Sequence, residues 1–349
     1  MNAPTTARPT PRELGIAVGD QPPGTWNAIT DVPGVRVGHT TLHDGARLHT
    51  GVTAVVPEML GRGPGQRRAL ACGLFAGNGY GKLVGATQLA ELGELETPVV
   101  LTATLSAFRA ADALVSHVLE LPGYEEVRTL NPVVGETNDG FCSDVRARPI
   151  AESHVRAALD GAASGPVAQG CVGAGTGTTA LGFKGGIGTS SRVVDVAGSR
   201  RTVGAVVQSN FSGTLTVLGV PVPVRGDASR LPAPDDGNSC MIVVATDAPL
   251  DARRLDRVAR RAVFAMGRVG AGFTHGSGDY ALAFSTAHPD DRLVPDGDLD
   301  PLFAATMDAV EEALLASVLC ATTTVGHRGT SHAVPVDDVL GALRAGGRL

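Results

Sequence analysis

A chain of 349 residues that is 43% hydrophobic and 18% charged can bury a sizeable core, as one large unit or as two sharing an interface. A formal charge of −6, with no run of Lys or Arg outside a helical pattern, argues against nucleic acid as a partner. Aromatics are only 4% while glycines number 46, so small aliphatic side chains and close backbone approach must fill the interior, as in layered α/β folds.

Residues 1–12, rich in Thr and Pro, read as a disordered tail without the apolar stretch of a secretory signal. No apolar run reaches membrane-spanning length, so a soluble, cytoplasmic protein is expected. Strand-like runs of Val, Ile and Thr follow at 35–39, 52–56 and 98–101, then helical patterns at 106–121 and 151–159. Further strands are expected at 202–208 and 214–218. The polar, Pro-bearing stretch 221–238 then reads as an exposed, mobile loop. Beyond it, a strand at 241–245, a helix at 249–266, a strand at 280–284 and helices at 301–320 and 336–343 make a piece that could be separable while sharing a sheet with the rest.

Local start signals support the two longest of these helices. Asp247 can cap the first, with Pro249 near its first turn where no N–H is missed. Its basic pairs Arg253-Arg254 and Arg260-Arg261 read as a solvated face. Asp300-Pro301 repeats the start signal, and Leu302, Phe303, Met307, Val310, Leu314 and Val318 recur at steps that give one core face.

Several chemistries lack their markers. Five cysteines without CxxC spacing fit neither a disulfide framework nor a zinc ribbon, and point to a reducing compartment. Nine histidines show no metal-binding spacing, and His39 and His275 read as structural. Gly173-Ala174-Gly175 mimics the opening of a dinucleotide fingerprint but lacks its strand–turn–helix context. Lys184 stands between Phe183 and Gly185, where a P-loop needs Lys followed by Ser or Thr. Those glycines read instead as allowing tight packing or lining a small-substrate pocket. No GxSxG elbow is present.

The sequence Asp236-Gly237-Asn238-Ser239-Cys240 runs directly from the loop into an apolar strand. One reading is an Asx-type turn feeding that strand. The other is chemical: if the Asn238–Ser239 bond were cut, Ser239 would carry an α-amine of pKa about 7.7–8.0, able to take the proton of its own hydroxyl. Gly237 would allow the unusual backbone that self-cleavage needs.

Six blocks bear on this choice. GTWNAITDVPGVRVGH (24–39), VVGETNDGFCSD (133–144), GAGTGTTALGFKGGIGTSSR (173–192), VVQSNFSG (206–213), DDGNSCM (235–241) and THGSGDYALAFST (274–286) occur in this order. Together they resemble the DmpA-like family, the self-processing L-aminopeptidase D-amidase/D-esterases and β-aminopeptidases. The likeness runs from about residue 12 to 345. It implies an αββα four-layer sandwich of the N-terminal-nucleophile type, one domain over 13–349, cut into 13–238 and 239–349.

The resemblance also implies roles. Ser239 matches the nucleophile, Asn210 an oxyanion-hole amide, and Ser277 with Asp279 the pair that bonds the nucleophile and the freed α-amine. Glu136 matches a residue that holds the substrate amine, and Lys184 a lysine near the site. Phe141 stands where relatives often carry tyrosine, so it can wall a pocket but cannot donate a hydrogen bond. The expected substrate is a small peptide, amide or ester, with no metal or organic cofactor, and the expected assembly is a homo-oligomer, a tetramer of αβ units. Three alternatives stay open: an ornithine-type N-acyltransferase, an oligoamide hydrolase, and an unprocessed binding protein. The first two usually present Thr where Ser239 stands. L-α, D-α and β-amino acid substrates are not distinguished.

Overall fold

The structure, a computed structural model, describes residues 8–63, 66–224 and 238–349. Val, Ile and Thr, stiff at χ1 and suited to a pleated surface, build its long strands. In chain order, β1 (Val35–Asp44) and β2 (Leu48–Pro57) form a hairpin, followed by β3 (Leu70–Gly79), β4 (Leu83–Val84), α1 (Ala86–Leu92) and β5 (Glu94–Leu95). Then come β6 (Val99–Ala103), α2 (Ala107–Leu119), β7 (Val133–Thr137) and α3 (Glu152–Asp160). Two short strands, β8 (Thr179–Ala180) and β9 (Phe183–Lys184), precede the long hairpin of β10 (Ile187–Val196) and β11 (Ser199–Asn210). A small hairpin of β12 (Thr216–Val217) and β13 (Val220–Pro221) follows. The last part holds β14 (Asn238–Thr246), α4 (Ala252–Arg268), β15 (Ser277–Ser285), α5 (Asp300–Leu319), β16 (Thr324–Val325), β17 (Thr330–Ser331) and α6 (Val336–Ala345).

Two sheets stack face to face. One has the order β1-β2-β6-β7-β4, the other β10-β11-β14-β15-β3-β5. Strand alternation divides their side chains between three cores. From β14, Met241, Val243 and Ala245 enter the core between the sheets with Val55, Val99 and Leu101, while Cys240, Ile242 and Val244 face α4 and α5. On the outer side of the first sheet, Val52, Ala54 and Val100 pack against α2 and α3. The result is the expected αββα sandwich. Both faces of both sheets are covered, which explains why β14 is buried at every position after Asn238.

The closest helix–sheet approach needs glycine. A Cβ on Gly188 of β10 would lie 1.8 Å from the carbonyl oxygen of Ala313 in α5. Glycines of the run 170–192 also let backbone segments meet closely: a Cβ on Gly186 would lie 2.3 Å from Gly170 O.

Four local expectations need correction. Residues 8–12 are not a loose tail: Arg8 donates to the carbonyls of Leu319 and Val334 at 2.8 and 2.5 Å, and Arg12 forks onto Glu312 at 2.8 and 2.9 Å. The strand expected over 214–218 shrinks to two residues, because Leu218 and Gly219 turn back with φ of 48° and 80°. Asp251, not Asp247, caps α4 by accepting from the N–H of Arg254 at 2.9 Å, while Asp247 accepts from the N–H of Thr202 at 2.6 Å. The basic face of α4 is not simply solvated, since Arg261 lies 3.8 Å and Arg257 5.0 Å from the Phe303 ring centroid.

Helix α5 departs further from its expected single core face. It is buried around nearly its whole circumference, Glu311 and Glu312 included. Glu312 is sealed by an ion pair with the equally buried Arg192 at 2.6 Å, so the apparent polar face is an internal one. The piece after the loop is not separable either, because β14 and β15 lie inside the second sheet between β11 and β3. The expected loop lies outside the described residues over 225–237.

Candidate active site

Ser239 enters the fold as the second residue of an inner strand. Antiparallel pairing with β11 sets Asn210 directly opposite it, and parallel pairing with β15 sets Gly278 on its other side. Directly paired residues share a face, so Ser239, Asn210 and Gly278 all point toward the space between the sheets. In the uncut chain the Ser239 hydroxyl donates to the carbonyl oxygen of Asn238 at 2.5 Å. The hydroxyl thus lies against the peptide group whose cleavage would free its own amine. Asn210 is 2% exposed, and its Oδ1 accepts from the N–H of Thr179 at 2.9 Å. That bond marks Oδ1 as the acceptor end of the amide and Nδ2 as its donor end, on the residue that β11 sets opposite the serine.

Gly278 makes this proximity feasible. A Cβ there would lie 2.4 Å from both Cα and N of Gly81 and 3.3 Å from Ser239 Oγ. Contacts under about 3 Å are sterically inadmissible, so only glycine lets the turn after β3 close over the strand ends beside the hydroxyl.

Ser277 and Asp279 lie on the other face of β15, the one shared with Cys240. Ser277 Oγ donates to Asp279 Oδ1 at 2.7 Å, and Asn78 Nδ2 donates to Oδ2 at 3.0 Å. Burial raises the Asp279 pKa above the ordinary carboxylate value, against the lowering effect of these bonds. The pair therefore flanks the backbone of β14, where a freed α-amine would sit, and in the uncut chain the Ser239 and Ser277 hydroxyls donate to different acceptors. Burial drives the Cys240 thiol well above its ordinary value, and its side chain packs into the core under α4, which removes it as a nucleophile.

Glu136 is the penultimate residue of β7, 1% exposed. Its Oε1 accepts from the main-chain N–H of Lys82 at 2.7 Å, while Oε2 is buried with no hydrogen-bond partner among the described residues. The same Gly81 that touches Gly278 connects the two groups: a Cβ on Gly81 would lie 3.3 Å from Glu136 Oε1. A buried carboxylate oxygen without a donor is costly unless a charged donor arrives, and an ammonium is the natural one.

Lys184 connects to the Ser239 group through Thr179, its register partner, whose N–H donates to Asn210 Oδ1. Lys184 is fully buried, and its ammonium donates to the carbonyls of Thr178, Gly185 and Gly175 at 2.8, 2.9 and 3.3 Å, tying the loop 175–185 to itself. The Phe141 ring packs against the turn at Gly329, and its carbonyl accepts from the N–H of Arg328 at 3.0 Å.

Sequence reasoning missed Asn78, Thr274 and Tyr280. Thr274 Oγ1 accepts from Asn238 Nδ2 at 3.1 Å, and Tyr280 donates to Gly81 O at 3.0 Å beside Glu136. Thr274 and Tyr280 stand inside the block 274–286, but Asn78 reaches Asp279 across 201 positions, which no local spacing signals. Among the described residues no cluster of His, Cys, Asp or Glu is arranged to hold a metal ion.

The model of peptidase family S58 matches residues 27–332. The β-peptidyl aminopeptidase BapA of Sphingosinicella xenopeptidilytica is 38% identical over 376 residues, covering 97% of this chain and 92% of that protein. Among solved structures, the PH0078 protein of Pyrococcus horikoshii OT3 superposes with a TM-score of 0.88 at 42% identity, covering 98% of this chain and all of that one. The L-aminopeptidase D-Ala-esterase/amidase of Ochrobactrum anthropi, described as a prototype for the serine aminopeptidases and a variant of the Ntn hydrolase fold, does so with a TM-score of 0.86 at 35% identity, covering 98% and 100%. With a family match over most of its length, relatives this similar end to end, and a serine opening an inner strand opposite an oriented amide, the chain belongs to peptidase family S58.

Proposed function

We propose that this chain cuts itself between Asn238 and Ser239 and then acts as a serine aminopeptidase and amidase on small peptides, amides or esters. The observation that carries the reading is the Ser239 hydroxyl held at 2.5 Å on the Asn238 carbonyl oxygen. In the first step Oγ attacks the Asn238 carbonyl carbon, the amide C–N bond breaks as its nitrogen takes the hydroxyl proton, and an ester and a free α-amine result. Water then hydrolyses the ester.

In turnover the same hydroxyl attacks a substrate carbonyl while the α-amine takes its proton. The Nδ2 of Asn210 stabilises the developing oxyanion, a role in which one donor is worth about 2.7–4 kcal/mol. The α-ammonium returns the proton to the leaving group as its bond to carbon breaks, and water attacks the acyl ester in the reverse sense. Ser277 and Asp279 orient the amine across the strand, and Glu136 Oε2 receives the substrate ammonium. The same reading carries a homo-oligomer of cut αβ units, to which the exposed Leu105 and Phe108 offer an apolar surface, and a cytoplasmic location, in keeping with five free cysteines. No helix among the described residues is long and apolar enough to cross a membrane.

The test compares alanyl and β-alanyl p-nitroanilides with their N-acetyl derivatives. Release of p-nitroaniline from either free amine, but not from its acetylated form, is expected. Equal turnover of blocked and free substrates would defeat the reading. Acyl transfer to added hydroxylamine at the expense of hydrolysis would favour the transferase instead.

A further inference from the structure

The buried carboxylate of Glu136 is held by Lys82 through both its main chain and its side chain. Lys82 follows β3 by three positions and immediately precedes β4, whose pairing of Leu83 with Gly135 sets Lys82 beside Glu136. Its main-chain N–H donates to Oε1 at 2.7 Å, and its ammonium lies 3.5 Å from the same oxygen. The ammonium is steadied by donation to Thr104 Oγ1 at 2.9 Å, from the turn that leads into α2. Both contacts of Lys82 therefore fall on one carboxylate oxygen, and the other, Oε2, is buried and unpartnered among the described residues.

We propose that Lys82 is a positioning residue for substrate-amine recognition, holding Oε1 from two sides so that Oε2 is the acceptor presented to a primary ammonium. A carboxylate can accept along about four lone-pair directions, and a free one would turn to spread its bonds. Fixing one oxygen removes that freedom before the substrate arrives, so less ordering is left to the binding step. The 3.5 Å ion pair is longer than a direct hydrogen bond, so it steadies the carboxylate without satisfying it.

This inference rests on the aminopeptidase reading, and the experiment separates the two. Kinetics of processed wild type, Lys82→Met, Lys82→Arg and Thr104→Val would be measured with alanyl and β-alanyl p-nitroanilides and with the des-amino propionyl p-nitrophenyl ester. Lys82→Met should raise KM for the amine-bearing substrates roughly tenfold, the scale of one charge-assisted bond, with kcat within about twofold. Lys82→Arg should restore most of the loss, Thr104→Val should give a smaller rise, and the ester should respond to none of them. An unchanged KM in Lys82→Met and Thr104→Val, or an equal loss on the ester, would overturn the role of Lys82. A wild type that turns over neither p-nitroanilide would overturn the aminopeptidase reading, and this inference with it.

Discussion

At the residue scale, burial sets which charges the fold tolerates, and the two best-placed cases oppose each other. Asp139 is 2% exposed and neither carboxylate oxygen has a partner among the described residues, although Thr50 lies beside it; burial pushes its pKa up to about 7. His39 is half-buried with its ring bonded to Thr53, and desolvation lowers its pKa to about 4. The folded Asp139 keeps its proton between its unfolded value of 3.8 and about 7, so its contribution to stability is present at low pH and is lost as pH rises through that window. The folded His39 stays neutral where the unfolded residue would charge, so its contribution is lost as pH falls from 6.5 toward about 4. The two slopes partly cancel in the wild type. Asp139→Asn removes only the first, so its melting temperature relative to wild type should be higher at pH 8 than at pH 5. An equal difference at both pH values would mean that Asp139 does not titrate as its burial dictates.

At the element scale, the start of β14 depends on a backbone contact between β15 and the turn after β3. Gly278→Ala would drive a Cβ to within 2.4 Å of Gly81 Cα and N, and something must move. Overpacking of this kind costs about 1–3 kcal/mol, and the displaced Ser239 should lose about a hundredfold or more in kcat. Thermal melts and turnover check both numbers, and a Gly278→Ala enzyme with full activity would show that the contact does not set the serine's position. Elements such as β14 and α4 were legible because their signals are local: a continuous apolar run from Met241 to Ala245 in one, an amphipathic pattern in the other. The site blocks were legible as a resemblance in order along the chain. What the sequence hid were pairings between distant segments. Asn78 on Asp279, Lys82 on Glu136 and Arg192 on Glu312 each join positions far apart, and the last of these disguised an internal polar face as a solvent one. The cap of α4 was misread because Asp247 and Asp251 both precede the helix and only tertiary contact decides between them.

At the scale of the whole molecule, the proposed cut divides the chain without dividing the fold. Strands β14 and β15 would belong to the C-terminal fragment, yet they stand between β11 and β3 of the N-terminal one. Helix α5 lies on β10 and β11, and its Glu312 is clamped by Arg12 and Arg192 from the other fragment. Withdrawing either partner of the buried pair would strand a charge at a cost of about 3–5 kcal/mol, so the fragments should remain associated after processing. The most direct test of the central claim is the intact mass and N-terminal sequence of the purified protein beside its Ser239→Ala variant. Wild type should resolve under denaturing conditions into fragments 1–238 and 239–349, the second beginning Ser-Cys-Met, and should run as one particle when native, while the variant stays a single chain. A wild type that remains uncut after prolonged incubation, with full aminopeptidase activity, would contradict the account.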